Sequence, residues 1–196
     1  GSVWIYNNWA SWTLGRCVQK VAGRSLTAYL EPRLFEPLDI EDWAWTQEQG
    51  FQLGFSGLHL ATESWAKFGH LLLRGGELWD RQVIDDGYLR AATRVQADTS
   101  ASPDGSPRIV GPDWALGYGY QFWMNRRGGF RGDGAFGQLC VVLPENGIAA
   151  AVTAECTNMS AELDALWLLL ENLHKQDGAC ADGGLPEAYI PQGRLD

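Results

Sequence analysis

The chain is short of positive charge, of histidine and of long apolar runs, and each shortage removes a class of function. It has 15 Lys and Arg against 24 Asp and Glu over 196 residues, a formal net charge of -9. The basic residues are scattered and Arg126-Arg127 is only a pair, so neither a nucleic acid nor an anionic membrane is an expected partner. No stretch approaches the roughly 18 apolar residues of a membrane-spanning helix. Cys17, Cys140, Cys156 and Cys180 have no C-x-x-C spacing and no histidines clustered around them. That argues against zinc, and no metal or cofactor is expected. Cys17 and Cys140 fall in a helical and a strand pattern, where a small core residue is the ordinary role. His59, His70 and His174 are too dispersed to suggest a site. No signal peptide is visible, Gly1-Ser2 reads equally as a cloning scar or as native sequence, and the compartment stays open.

What is present is apolar enough to fold. At 45% apolar content the chain is no ordinary disordered segment, and its length suits one core or part of a larger domain. Asn8 can cap a helix over residues 9–22 that Gly23 stops, with Leu14, Val18 and Val21 on its apolar face. Ser25 can cap a shorter helix interrupted by Pro32, and Phe35-Glu36-Pro37-Leu38 ends the region in a turn. Thr62 opens a third helix, with Trp65, Phe68, Gly69 and Leu72 at helical spacing and Gly75-Gly76 as its stop. A short helix is expected near residues 86–94. Residues 99–111 turn to Ser, Pro, Asp and Gly and read as an exposed loop.

Strands are expected at 116–124, 136–143 and 148–154, the last two joined by a hairpin at Pro144-Glu145-Asn146-Gly147. Ser160 can cap a closing helix to about residue 175 whose stripe is Leu163, Leu166, Trp167 and Leu170, and a tail follows from 177. This order predicts an α+β fold: a helical segment, an antiparallel β-meander and a packed C-terminal helix. The apolar runs at 139–143 and 148–152 need cover on both sheet faces. One closing helix covers only one, so a further segment is expected to cover the other face or extend the sheet edge.

Five strings occur in a fixed order: Gly1-Ser2-Val3-Trp4-Ile5-Tyr6-Asn7-Asn8, Leu34-Phe35-Glu36-Pro37-Leu38, Trp65-Ala66-Lys67-Phe68-Gly69, Gly117-Tyr118-Gly119-Tyr120-Gln121-Phe122-Trp123 and Asp133-Gly134-Ala135-Phe136-Gly137-Gln138. Together they resemble the serine hydrolases related to class C β-lactamases and penicillin-binding proteins, over residues 1 to about 173. The resemblance implies a β-lactamase/transpeptidase-like fold, seen here as its C-terminal portion and lacking an N-terminal segment. Tyr6 and Asn8 match the family's Tyr-x-Asn. A tyrosine beside a lysine ammonium can have its pKa drawn down from about 10 and so shuttle the nucleophile's proton. Asn8 would hydrogen-bond substrate and lysine. The bland alternative for these two residues is an aromatic beside a helix cap.

The family's third motif, Lys-Thr-Gly or His-x-Gly, corresponds to Gly132-Asp133-Gly134, with no cation at 132. The backbone remains: glycine permits close approach, and the Ala135 amide can donate to an oxyanion. The ordinary alternative is a Gly-rich turn. Asp133, Gly134 and Ala135 are thus the candidate oxyanion and substrate strand. The missing cation puts penicillin recognition in doubt and tilts toward an ester, amide or peptide substrate.

The family's nucleophile, the serine of Ser-x-x-Lys, belongs before Tyr-x-Asn and is not found there. Ser64-Trp65-Ala66-Lys67 has the spacing, but it follows Tyr6 and lies in the structural Ala-Lys-Phe-Gly helix. Ser64 and Lys67 therefore read as structural, a surface pair one turn apart, and the chain alone is expected to be inactive. The expected partners are a small-molecule or peptide substrate and the missing N-terminal segment of the same protein, with self-association a further expectation of an uncovered sheet. The alternatives are a non-catalytic fragment, a divergent binding module, and a carbohydrate platform suggested by ten tryptophans. Trp65 and Trp167 lie on apolar stripes, so packing accounts for much of that count.

Overall fold

In the computed structural model, residues 4–101 and 111–179 are described, with side chains to residue 173. Gly1-Ser2, the centre of the 99–111 loop, the His174 side chain, Cys180 and most of the expected tail lie outside them. The chain divides into two compact units, Gly1–Glu155 and Cys156–Asp196.

The first unit opens with α1, Asn8–Ala22, stopped by Gly23 at φ 65°. Its cap is Asn7 and not Asn8: the Asn7 Oδ1 accepts from the Trp9 N–H at 2.8 Å. Leu14, Val18 and Val21 are 57%, 39% and 90% exposed, whereas Gln19 is buried. The expected apolar face is thus turned outward. Gly15 and Gly54 have no Cβ, and this allows the backbones to meet on the flank of the helix, where a Cβ on Gly54 would come 3.0 Å from the Ser11 carbonyl. Cys17 is accordingly exposed and not a core residue.

Ser25 caps α2, Leu26–Leu30, by accepting from the Ala28 N–H at 3.2 Å. At Pro32 the helix widens into a π-turn, Glu31–Phe35, closed by a 2.9 Å bond from the Glu36 N–H to the Glu31 carbonyl. Short antiparallel pairs follow: β1 (Trp43–Trp45) with β4 (Leu58–Leu60), enclosing β2 (Gln47–Glu48) with β3 (Phe51–Gln52). The third helix, α3 (Thr62–Leu73), ends at left-handed Gly75 and Gly76 and leads to β5 (Glu77–Leu78) and β6 (Arg81–Gln82). Asp85 caps α4, Asp86–Ala92.

The principal sheet is a four-stranded antiparallel meander in the order β10-β9-β8-β7: β7 is Trp123–Met124, β8 Phe130–Gly134, β9 Gln138–Leu143 and β10 Ile148–Val152. The expected strand at 116–124 shrinks to β7, because Gly117 at φ 114° and Gln121 at φ 69° fold its first part into tight turns. β8 is a strand absent from the sequence expectation. The 143–148 hairpin forms, with Ile148 opposite Leu143 across a 3₁₀ turn and Gly147 at φ 66°. α3 lies on one sheet face, where Gly69 makes room for the Cys140 sulfur and Ala149. Leu72, Leu89, Met124, Phe130, Cys140 and Val142 form the core there. Burial pushes the Cys140 thiol up to about 12. Leu139 and Val141, on the opposite face of β9, are also fully buried.

In the second unit, α5 runs from Met159 to Ala179, past the expected tail start. Asn158 and not Ser160 caps it, accepting from the Ala161 N–H at 3.1 Å. Leu163, Leu166, Trp167 and Leu170 are buried, as their spacing predicts. Mixed helices and antiparallel strands make this an α+β fold.

Candidate active site

Tyr6 sits in the extended segment just before α1, among aromatic rings drawn from distant sequence. It stacks on Trp123 with 5.9 Å between centroids and meets Tyr118 edge-on at 6.2 Å. Trp4 packs against Tyr118 at 4.9 Å and Trp123 at 5.6 Å, and Tyr118 against Trp123 at 4.8 Å. A turn at 117–123 makes this possible. Gly119 brings the backbone against the Ala92 carbonyl, where a Cβ would clash, and the Tyr120 N–H donates to that carbonyl at 2.8 Å. The Ser11 hydroxyl donates to the Gln121 Oε1 at 2.7 Å and ties α1 to the same turn.

Trp123 is the strand partner of Arg131, two residues before Asp133 on β8. Side chains alternate along a strand, so Arg131 and Asp133 share one face and Gly132 the other. Arg131 is fully buried. Its Nε donates to the Asp133 Oδ2 at 2.9 Å, and Nη1 donates to the Met124 carbonyl at 3.0 Å and the Asn125 Oδ1 at 3.2 Å. The Trp114 indole donates to the same Asp133 oxygen at 3.0 Å. Nearby, buried Asp113 takes a two-pronged bond from Arg126, at 3.0 and 2.7 Å. Burial pushes the Asp133 carboxyl above its ordinary value and the Arg131 guanidinium below its own, despite their mutual attraction.

Tyr6 feels the Asp133 charge. Burial first, and the Asp133 charge second, raise its phenol above the usual 10. Tyr118 is raised further, by burial and then by Tyr6 and Asp133. Tyr6 and the end of β8 thus share one electrostatic neighbourhood although about 125 residues separate them. Asn8, the first residue of α1, is exposed.

The 132–138 segment is the end of β8 and a three-residue turn, not the start of a strand. Gly134 lies opposite Gln138 and Ala135 is the first turn residue, with Phe136 left-handed at φ 65° and exposed. A Cβ on Gly134 would press to 2.9 Å from the Gln138 Cβ. One on Gly132 would lie 3.4 Å from the Trp65 ring, an ordinary contact, so the indole of α3 packs directly on this glycine. The Asp133 carboxylate is itself engaged by Arg131 and Trp114, so its side chain anchors the strand.

Ser64 is buried in α3 and not at the surface. Lys67 turns away to Asp39, donating to its carbonyl at 2.6 Å and its carboxylate at 3.2 Å. Among the described residues no group of three or more His, Cys, Asp or Glu is arranged to hold a metal, and no helix is long and apolar enough to cross a membrane.

The sequence reading missed Trp4, Trp114, Tyr118, Trp123 and Arg131 as parts of this neighbourhood. Arg131 had a local signal, its i, i+2 spacing to Asp133, but only for a reader who had placed β8. The aromatic cluster has no local signal at all.

The Beta-lactamase family profile matches residues 1–173. A search of curated protein sequences gives no match. Among solved structures, the chain is similar to a Bacillus anthracis protein assigned as a 6-aminohexanoate-dimer hydrolase, with TM-score 0.74 and 23% identity over 90% of this chain and 45% of that one. It is also similar to a β-lactamase from Mycobacterium bovis (TM-score 0.60, 19% identity, 78% of this chain, 56% of that one). A third is an octameric penicillin-binding protein homologue from Pyrococcus abyssi (TM-score 0.63, 19% identity, 87% and 43%). At these identities the likeness is one of fold, and the chain spans about half the length of each structure. With the profile covering most of its length, the chain belongs to the Beta-lactamase family.

Proposed function

We propose that this chain carries the proton-transfer and oxyanion half of a serine acyl-transfer site, and that a segment of the same protein outside these 196 residues supplies the nucleophilic serine and its lysine. The reaction class is hydrolysis of an ester, amide or peptide through an acyl-enzyme. The serine oxygen attacks the acyl carbon, and Tyr6 passes the serine's proton to the leaving group. The Ala135 amide steadies the oxyanion, Asn8 orients the substrate, and water then releases the acid.

The observation that carries this reading is the stacking of Tyr6 on Trp123, the strand partner of Arg131 on β8, which puts Tyr6 within the influence of the Asp133 charge. With its phenol raised, Tyr6 in this chain is a proton donor. A lysine ammonium from the nucleophile segment is what would draw it down and make it a base. Two further facts fit a covering segment: Leu14 and Val21 of α1 are more than half exposed, and related structures are about twice as long.

The test compares this chain and an N-terminally longer form with a chromogenic ester, a chromogenic β-lactam and a 6-aminohexanoate dimer amide. Turnover by the longer form that falls sharply in Tyr6→Phe supports the proposal. Turnover by neither favours a non-catalytic module.

A further inference from the structure

A cleft of about 470 Å³ opens on the flank of α1, lined by Arg16, Cys17, Gln19, Lys20, Arg24 and Phe51 among others. Three cations line one cleft in a protein of net charge -9, and among the described residues none of the three has a carboxylate partner. The Arg16 guanidinium is held in place, 3.1 Å over the Phe51 ring and 5.6 Å from the Trp12 ring. Its Nη1 is nonetheless buried with no acceptor.

The same wall holds an orphan of the opposite kind. The Gln19 Oε1 is buried with no donor, in a residue only 9% exposed. Its orientation is dictated by neighbours. The Leu26 N–H donates to the Gln52 Oε1 at 3.2 Å, so that oxygen faces Gln19 as an acceptor, and the Gln19 Nε2 donates to it at 3.1 Å. Flipping the amide would oppose two oxygens. Buried polar groups ordinarily have partners, and a donor and an acceptor left without them beside one cleft mark a missing ligand.

We propose that this cleft binds a small multivalent oxyanion that carries its own hydroxyl, such as a hydroxycarboxylate or a sugar or glycerol phosphate. Arg16, Lys20 and Arg24 take the anionic group, and the Gln19 Oε1 accepts from the hydroxyl. The site is separate from the acyl-transfer reading and stands without it. At 100° per residue, the exposed Leu14, Val18 and Val21 project from roughly the opposite side of the helix to Arg16 and Gln19, so a segment seated on those three leaves the cleft open.

The experiment is calorimetric titration of the chain with citrate against tricarballylate, and with glycerol 3-phosphate against propyl phosphate, at matched ionic strength. Each pair differs in hydroxyl content, and comparison between pairs separates carboxylate from phosphate. Saturable binding is expected, stronger for the hydroxyl-bearing member and weakened about tenfold or more in Arg16→Gln and in Lys20→Gln, as loss of a charge-assisted bond implies. The exposed thiol of Cys17 gives a second readout, because occupancy should slow its modification by a disulfide reagent. Arg24→Gln, beyond the end of α1, serves if Arg16→Gln unfolds. No saturable binding, or binding that survives all three substitutions, overturns the proposal. Equal affinity for the paired ligands overturns the role of Gln19. A longer form of the protein in which Cys17 is already protected without ligand shows that the cleft belongs to another part of the chain, and also overturns it.

Discussion

Replacing Asp133 with leucine should destabilise the protein far more than replacing Asp133 and Arg131 together. The two side chains are 4% and 0% exposed, so neither can recover solvation from water. In Asp133→Leu, the Arg131 Nε and the Trp114 Nε1 both lose their acceptor, and a guanidinium remains in the interior. Breaking a buried pair by removing one partner costs about 3–5 kcal/mol, whereas replacing both members with apolar side chains is often neutral or stabilising. At this size each kcal/mol moves the melting temperature about 2–4 °C, so the single variant should melt roughly 6–20 °C lower. Asp133→Leu with Arg131→Met should recover most of that. The pH dependence carries the same signature. The folded carboxyl lies above its ordinary value of 3.8, so between 3.8 and the raised value the folded state holds the proton that the unfolded state has released. This contribution to stability is present at low pH and lost as pH rises through that window. Thermal unfolding of wild type, single and double variants across pH 3–7 is the assay. A single variant within 1 kcal/mol of wild type, or a double variant no better than the single, would show that burial does not govern this pair.

Removing the Asp133 charge in Asp133→Asn should lower the phenol pKa of both Tyr6 and Tyr118, since the carboxylate opposes both phenolates. Alkaline titration of phenolate absorbance, repeated in Tyr118→Phe, reads this, and an unchanged Tyr6 transition would contradict the shared neighbourhood. Asn7→Ala should cost about 1 kcal/mol through loss of the helix cap. Asn8→Ala should leave urea stability nearly unchanged while impairing turnover of the longer form, and the reverse ranking would make Asn8 structural. Cys140, buried with its thiol at about 12, should resist alkylation in the native state while exposed Cys17 reacts; rapid Cys140 labelling would mean that α3 opens readily from the sheet.

What was legible in the sequence was local. Gly23, Gly75 and Gly76 stop helices because the chain turns left-handed there, at φ 65°, 68° and 82°, and glycine alone does so without strain. The 143–148 hairpin and the stripe of α5 follow the same way from turn chemistry and periodicity. β8 was hidden because Phe130-Arg131-Gly132-Asp133-Gly134 has the composition of a turn. Gly134 stands where Gln138 leaves little room, Gly132 packs on Trp65, and the charges of Arg131 and Asp133 neutralise one another inside. The outward turn of α1 was hidden for a related reason, since a Gly15–Gly54 contact between distant segments outweighs the apolar pattern of the helix. In the candidate site, Tyr6, Asn8 and Gly134 could be named from the order of motifs. The cluster of Trp4, Tyr118 and Trp123 that holds Tyr6 toward β8 needed the fold.

The most direct test of the half-site account is covalent labelling with a fluorophosphonate, which reacts only with an activated nucleophile. The 196-residue chain should not label, because Ser64 is buried and Lys67 is committed to Asp39. The longer form should label at a serine outside this sequence, and more slowly in Tyr6→Phe. Labelling of the 196-residue chain that disappears in Ser64→Ala would contradict the account and move the active site to α3.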